Sequence, residues 1–238
     1  MDHSGRLIVQ AIESLPIHIA SMHGLMHALL EKHGDDIRPG DLFIANDPHA
    51  AGGTHLPDVN LAQPVFVEGE ILGFVCNIAH HADIGGMAPG SMAGGMSEIY
   101  QEGLRIPVIR LFREGVLQQD LLDLLLLNVR VPHERRGDYF AQISACRLGE
   151  RRLREVVAEH GLDRISSAFG EIVDRTRRRM ADSIEAIPDG HYTFRDVMDG
   201  DGIKSYDLPI ELAITVTGRE VTFDFAGTCA QVPGNINV

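Results

Sequence analysis

The sequence predicts an α+β fold, in which mixed, largely antiparallel sheets pack against helices, and it predicts that this fold is a partial domain. Two short polar loops that contain glycine, at residues 68–70 and 217–220, each separate two apolar runs. Loops of this kind are typical of β-hairpins, so antiparallel pairing is expected on both sides of the chain's centre. Between the two hairpins, residues 119–187 have the apolar periodicity of consecutive helices.

Composition narrows the class of protein. Hydrophobic residues make up 44% of the 238 residues, which argues against global disorder and allows one large domain or two small ones. The formal net charge of -13 argues against a nucleic-acid binder, because such proteins present a basic face. No signal peptide and no apolar run of membrane-spanning length is visible.

Cysteine usage indicates the redox setting. Cys76, Cys146 and Cys229 are far apart and odd in number, and no CxxC motif is present. This pattern predicts free thiols in a reducing, cytoplasmic compartment.

The first forty residues contain a turn, a strand and a helix. Residues 2–6 have the composition of a hairpin turn, and residues 7–9 are the expected strand after it. Because no strand precedes this turn, we expect the natural domain to begin upstream. Apolar residues at helical spacing predict a helix over 17–33, which Gly34 and Pro39 end.

The remaining elements follow from the same rules. Strands are predicted at 41–45, 59–67, 71–78, 108–112, 192–198, 208–217 and 220–226, and helices at 119–131, 135–159 and 162–187. We therefore divide the chain into an α/β region with a metal site (1–115), a helical region (116–188) and an antiparallel β region that ends early (189–238).

Residues 40–107 hold the side chains that could do chemistry. His55, Asp58, His80, His81 and Asp83 lie at predicted strand ends in a glycine-rich stretch, and Asp47 is close in sequence. Imidazole and carboxylate groups bind zinc or manganese, which predicts a hydrolytic metal site. The alternative is structural: the first two of these residues would shape a turn and the histidine pair would cap a strand.

Two further patterns bear on the chemistry. Because neighbours on a strand point to opposite sides, His80 and His81 should not both bind the metal. His23 and His27 share a helix face, but Gly24 stands where a zinc-protease helix has its glutamate, so polar residues beside an apolar stripe are the favoured interpretation.

The sequence has no motif for ATP binding. No GxxxxGK[ST] loop and no GxGxxG after a strand is present, so any ATP would be bound elsewhere.

A set of motifs in chain order resembles the hydantoinase B/oxoprolinase family. The motifs are GDLF (40–43), NDP (46–48), GTHLPD (53–58), AHHADIGG (79–86), PGSM (89–92), EGLRIP (102–107) and GNIN (234–237). The resemblance spans nearly the whole chain. Family members are considerably longer, so the chain resembles a central fragment.

The resemblance implies a division of labour between two subunits. Members include B subunits of ATP-dependent hydantoinases and 5-oxoprolinases, with relatives in acetone and acetophenone carboxylases. An A-type subunit binds ATP and phosphorylates the amide or ketone oxygen, and the B part carries the metal site. By motif match, His55 and His80 are the best metal ligands, and the resemblance implies a further aspartate ligand upstream of the turn at residues 2–7.

These observations lead to one functional prediction with two alternatives. We expect a metal-dependent B component that opens a hydantoin or 5-oxoproline ring with an ATP-binding A subunit. His55, His80 and Asp47 would bind zinc or manganese, and Asp58, His81 and Asp83 would orient water or substrate. The alternatives are a ketone carboxylase component and a non-catalytic assembly subunit or inactive fragment. No nucleic acid or membrane partner is expected.

Overall fold

The computed structural model describes residues 1–237, and these form two compact units. The first unit contains residues 1–92 and 100–169. The second contains residues 93–99 and the chain from Gly170 onward. Val238, the last residue of the predicted 189–238 region, lies outside the described residues. The predicted three-region division stays a prediction.

A five-stranded sheet forms the centre of the first unit. Its strands are β1 (Leu42–Ala45), β2 (Asp58–Val67), β3 (Glu70–His80), β4 (Ile109–Arg113) and β5 (Val116–Leu117). They lie in the order β3-β2-β1-β4-β5, and every neighbouring pair is antiparallel. The antiparallel prediction is therefore confirmed for this unit.

The β2–β3 hairpin is the longest pairing of this sheet. Its two-residue turn consists of Glu68 and Gly69, which both have positive φ (53° and 91°) as a type I′ turn requires. Beyond the turn the register shifts by one residue at a bulge, where Leu72 has no partner. From there the pairing runs to the far end, where Asp58 lies opposite His80.

Helices cover both faces of this sheet. The helices of this unit are α1 (His18–His33), α2 (Pro48–Ala51), α3 (Gln119–Leu127) and α4 (Pro132–His160). The next helix, α5 (Leu162–Glu185), begins in this unit and continues into the second one. On one face, Met22, Leu25, Met26 and Leu29 of α1 pack against a core that includes Phe43. On the other face, α4 packs against β2 and β3. Coverage on two faces explains why most of β2 is buried.

Two predicted elements differ from the structure. No strand forms at residues 7–9, since Val9 is largely exposed and the described residues supply no neighbouring strand for pairing. The predicted helix 119–131 ends at Leu127. Asn128 ends the helix, since its backbone leaves the helical region (φ −92°, ψ 3°) and its side-chain amide donates to the carbonyl oxygen of Leu124. The predicted turn at residues 2–6 is confirmed, because the N–H of Asp2 bonds the carbonyl oxygen of Arg6.

The second unit contains a three-stranded antiparallel sheet. Its strands are β6 (Gly190–Gly200), β7 (Tyr206–Thr217) and β8 (Glu220–Asp224), in that order. Gly218, with φ of 57°, forms the predicted hairpin turn between β7 and β8. Both sheets together confirm the α+β prediction. No helix among the described residues is both long and apolar enough to cross a membrane.

Candidate metal centre

Three of the predicted site residues meet at one end of the β2–β3 hairpin. The Nε2 atom of His55 lies 3.1 Å from the Nδ1 atom of His80 and 3.1 Å from Oδ2 of Asp58. Nδ1 of His80 lies 3.3 Å from Oδ1 of Asp58. The carboxylate therefore contacts one nitrogen of each imidazole.

The hairpin register brings these residues together. Asp58 is the first residue of β2 and His80 is the last residue of β3, and the two are directly opposed. His55 precedes β2 in a turn that the N–H of Asp58 closes on the carbonyl oxygen of His55 at 3.1 Å. The N–H of His81 bonds the carbonyl oxygen of Pro57 at 2.8 Å and holds the strand end against this turn.

The site is buried on one side and open on the other. The Asp58 side chain is 4% exposed, whereas those of His55 and His80 are 31% and 51% exposed. The Thr54 hydroxyl donates a hydrogen bond to Oδ2 of Asp58 and so orients the carboxylate. A buried carboxylate beneath two accessible imidazoles leaves room for a ligand from solvent.

The donor set fits a divalent metal ion. The three ligand atoms lie within 4.8 Å of one another, and among the described residues no other group of three such side chains does so. Two imidazole nitrogens and one carboxylate oxygen are donors that zinc and manganese accept. Each of these contacts requires a proton or a cation between its two atoms, because carboxylate oxygens and unprotonated imidazole nitrogens are both acceptors.

His18 is a neighbour of the site that the sequence analysis missed. Its Nδ1 lies 3.9 Å from Oδ2 of Asp58, and this buried atom has no hydrogen-bond partner among the described residues. The sequence placed His18 at the start of a helix that carries several histidines, where nothing distinguishes it from the others. Only the packing of α1 against the sheet brings it to Asp58.

Asp47 is not part of the group that His55, Asp58 and His80 form. Its Oδ1 accepts hydrogen bonds from the N–H groups of His49 and Ala50, both at 2.9 Å, so Asp47 caps the N-terminus of α2. Its Oδ2 pairs with Arg105. Burial acts to raise the pKa of Asp47, but the hydrogen bonds from Arg105, Ala50 and His49 outweigh it, so the pKa lies below its ordinary value.

His81 points away from His80, as the alternation of strand side chains predicts. Its ring is buried against Tyr139, with 4.7 Å between ring centroids, and its Nε2 lies 2.9 Å from Oε1 of Gln142 on α4. Burial lowers the pKa of His81, and the hydrogen bond to Gln142 opposes this only in part. A neutral imidazole is therefore the favoured form at this position.

Asp83 organises the loop that follows β3. Its carboxylate accepts hydrogen bonds from the Arg130 guanidinium at 2.9 Å and from the N–H groups of Gly85, Gly90 and Arg130. Burial acts to raise the pKa of Asp83, but these hydrogen bonds, that of the Arg130 side chain foremost, hold the pKa below its ordinary value. The structure brings neither Asp83 nor His81 into the group of His55, Asp58 and His80.

Gly24 has a structural explanation. A methyl group on Gly24 would come within 2.5 Å of the Cα atom of Gly52, so α1 and α2 approach each other where neither residue has a side chain. His27 pairs only loosely with Glu31, at 3.9 Å. This geometry agrees with the interpretation that His23 and His27 are polar residues on the exposed side of α1.

Comparison with known proteins finds relatives that match nearly all of this chain. The family model described as hydantoinase B/oxoprolinase matches residues 1–238. Caprolactamase subunit beta of Pseudomonas jessenii is 34% identical over 219 residues, which is 92% of this chain and 37% of the relative. The chain spans about two fifths of the length of the first curated relatives it matches, since the shares are 42%, 40% and 37%.

Two solved structures are similar in fold. ATP-dependent caprolactamase from Pseudomonas jessenii superposes with a TM-score of 0.92 at 33% identity, over 99% of this chain and 40% of that chain. Acetone carboxylase in its nucleotide-free state has a TM-score of 0.81 at 25% identity, over 89% of this chain and 30% of that chain. The first of these is a lactam-cleaving enzyme by its name, and the second is a carboxylase.

Proposed function

Because the chain belongs to the hydantoinase B/oxoprolinase family, we propose that it acts as the metal-dependent component of an ATP-dependent enzyme that opens a cyclic amide. Hydantoin and 5-oxoproline rings are the substrate class we assign. The similarity to caprolactamase subunit beta supports a lactam substrate. The observation that carries the proposal is the convergence of His55, Asp58 and His80 within 4.8 Å.

Each residue of the group has a task in this proposal. His55 and His80 would hold a zinc or manganese ion through their imidazole nitrogens, and such an ion supplies Lewis acidity and makes water a nucleophile near neutral pH. Asp58 contacts both imidazoles and orients them; one of its carboxylate oxygens would complete the donor set, and the other would accept a proton from water.

The other three predicted site residues take positioning roles in this proposal. Asp47 holds α2 and Arg105, His81 anchors the end of β3 against α4, and Asp83 holds the following loop. ATP binding belongs to an A-type partner subunit, because this sequence has no phosphate-binding loop motif. The cytoplasm is the compartment we propose, since the three cysteines are free.

Metal analysis of the purified chain tests the site. We expect about one equivalent of zinc or manganese in the wild type, and its loss in His55→Ala and in His80→Ala. His27→Ala is the matched control, because that histidine is exposed on α1 and pairs only with Glu31. Absence of metal from the wild-type chain would favour a non-catalytic assembly subunit and remove the basis of the proposal.

The similarity to acetone carboxylase supports a second candidate function, that of a ketone carboxylase component. Coexpression with an ATP-binding A-type subunit separates the two reactions. We expect ATP-dependent opening of a lactam or hydantoin without any need for bicarbonate. Consumption of a ketone that depends on bicarbonate would replace the hydrolase with the carboxylase, and no turnover of either kind would leave the assembly role.

A further inference from the structure

The outer edge of β3 has backbone groups without partners. β3 is the terminal strand of its sheet, and only β2 pairs along its length. Both the N–H and the C=O of Phe74 point outward, because they bond Met1 at 3.0 and 2.9 Å. Pro64 lies opposite Phe74 on β2 and has no N–H that could bond the carbonyl oxygen of Phe74. This agrees with the outward direction of the Phe74 backbone groups.

The alternation of backbone direction along a strand determines which other N–H and C=O groups of β3 point outward. In an antiparallel ladder every second residue directs both backbone groups to the same side, so those of Cys76 and Ile78 face the same edge as those of Phe74. Within residues 1–237 no hydrogen bond at this edge reaches the backbone of Cys76 or Ile78. Backbone groups next to apolar surface are costly to leave unpaired, so this edge favours a bonded partner.

A cavity of about 660 Å³ runs beside these unpaired groups. Five consecutive residues of β3, from Phe74 to Ile78, form one wall, and they span about 17 Å in an extended strand. His18, Ile19 and Met22 of α1 and Gly149 and Leu153 of α4 line it, and the segment of residues 7–14 before α1 contributes further wall. The cavity is therefore a slot bounded by α1, α4 and the segment before α1, and its floor is a strand edge.

The residues that line the slot indicate which kind of molecule can bind there. No Asp, Glu, Lys or Arg side chain lines the slot, and most of its residues are apolar. An apolar small molecule would cover the walls but leave the N–H and C=O groups of Cys76 and Ile78 without partners. An extended polypeptide satisfies both requirements, because it places apolar side chains on the two helices and its backbone on the strand edge.

We infer that this slot, defined by the β3 edge from Phe74 to Ile78, is the docking site of an added β-strand. The strand is antiparallel to β3 and continues the ladder that Asp2 and Met1 begin opposite Gly73 and Phe74. In this direction the polypeptide before Met1 would run toward His80. The source to which we commit is further polypeptide of the same protein, since the relatives carry well over half of their length outside the matched region.

Extension of the chain at its amino end tests the slot. One variant carries Val-Ile-Thr-Val-Ile directly before Met1, and its control carries Gly-Ser-Gly-Ser-Gly at the same place. We expect the first extension to slow amide hydrogen exchange of Cys76 and Ile78 at least tenfold relative to the control and to raise Tm by several degrees. The covalent link fixes the register and supplies a high effective concentration.

A substitution in the wall of the slot tests whether the protection from hydrogen exchange arises from binding in the slot. Ile19→Glu places a charge on the α1 side of the slot at a position that is 42% exposed, so the unextended chain tolerates it. In the Val-Ile-Thr-Val-Ile variant, Ile19→Glu should abolish the gain in protection. Equal exchange in both extended chains, or protection that survives Ile19→Glu, overturns the inference. A dimer of the unextended chain that protects Cys76 and Ile78 also overturns it, because the occupant would then be a second copy.

Discussion

At the scale of single residues, Asp58 joins the candidate metal centre. Its two oxygens contact different imidazoles, so one carboxylate orients both His55 and His80. Its burial removes competing water from the carboxylate, while the two histidines stay accessible. This combination of a buried acceptor with exposed nitrogen donors is what makes the group a candidate site rather than a surface ion pair.

Asp83 leads to a prediction about pH. Its pKa in the folded protein lies below the ordinary value of about 4, so it stabilises the fold fully above pH 4 and loses this contribution as the pH falls through the folded pKa. Asp83→Asn should lower the free energy of unfolding by roughly 1 to 3 kcal/mol at pH 7, and by less at pH 3, where the unfolded chain already binds a proton at this carboxylate. Urea unfolding at the two pH values measures the difference.

The control for this prediction is Asp123→Asn. Asp123 is exposed on α3 and accepts a hydrogen bond only from the nearby Gln119. We expect Asp123→Asn to change the free energy of unfolding of the protein little at either pH. An Asp83→Asn effect that is equally large at both pH values would show that the amide disturbs packing, and that ionisation is not the cause.

The sequence allowed the site to be predicted only in part. The clustering of His55, Asp58 and His80 around a predicted hairpin placed them close together, because antiparallel strands bring the two ends of a hairpin into contact. Asp47 and Asp83 have the same chemistry, but their side chains bond Arg105 and Arg130, which are 58 and 47 residues away. Contacts over such separations leave no local pattern in the sequence.

At the scale of elements, α4 holds the two strands that carry the candidate ligands. Gln142 donates hydrogen bonds to the carbonyl oxygen of Val59 at 2.8 Å and to Oδ1 of Asn77 at 3.0 Å, and its Oε1 lies 2.9 Å from His81. Val59 follows Asp58, and His81 follows His80. One side chain therefore positions the backbone next to two candidate ligands.

Removal of this side chain should weaken metal binding. We expect Gln142→Leu to reduce the affinity for zinc or manganese by about 10- to 100-fold, as is usual when the groups that orient metal ligands are lost. Gln63→Leu is the matched control, because Gln63 also bonds α4, through Glu150, but lies away from the site. If both variants bind metal as the wild type does, Gln142 contributes to the fold and not to the site.

The contact between α1 and α2 gives a second prediction at this scale. Gly24→Ala should destabilise the protein by about 1 to 3 kcal/mol, because the methyl group would collide with the backbone of Gly52. Gly34→Ala is the control, since Gly34 has helical dihedral angles and no atom within 4 Å of an added Cβ. Thermal unfolding of the two variants checks the difference, and equal Tm values would contradict the close approach.

Elements with strong local signals were predicted well. The hairpins at residues 68–70 and 217–220 follow from turn chemistry, and α1 follows from its apolar period. The strand at residues 7–9 was wrong because a strand exists only where a neighbour completes its hydrogen bonds. The end of α3 was predicted too late because apolar residues continue past Leu127, whereas the helix ends at Asn128, whose side-chain amide bonds the carbonyl oxygen of Leu124.

At the scale of the whole molecule, the second unit exposes an apolar sheet face. Tyr192, Ile214 and Phe223 lie in one row across β6, β7 and β8, and Phe194 lies on the same face. Phe194 and Phe223 are 68% and 57% exposed. Contiguous apolar surface of this kind is rare on proteins that act alone.

This face should bind an apolar dye. We expect the chain to enhance the fluorescence of ANS, and the double variant Phe194→Thr with Phe223→Thr to reduce the enhancement at least twofold, because threonine keeps the strand propensity and removes the rings. The control Leu127→Gln changes an apolar residue that is 82% exposed at the end of α3. A reduction of similar size in the control would place the dye elsewhere.

The bulge at Leu72 also determines which residues form the candidate metal centre. If the ladder ran regularly from the Glu68-Gly69 turn, Ala79 would lie opposite Asp58, and His80 would pass beyond the end of β2. A single unpaired residue, about 23 Å along the strand from the candidate ligands, thus decides whether a methyl group or an imidazole faces the carboxylate. Variation in the length of this distant segment would change which side chain faces Asp58 while every candidate ligand stayed in the sequence.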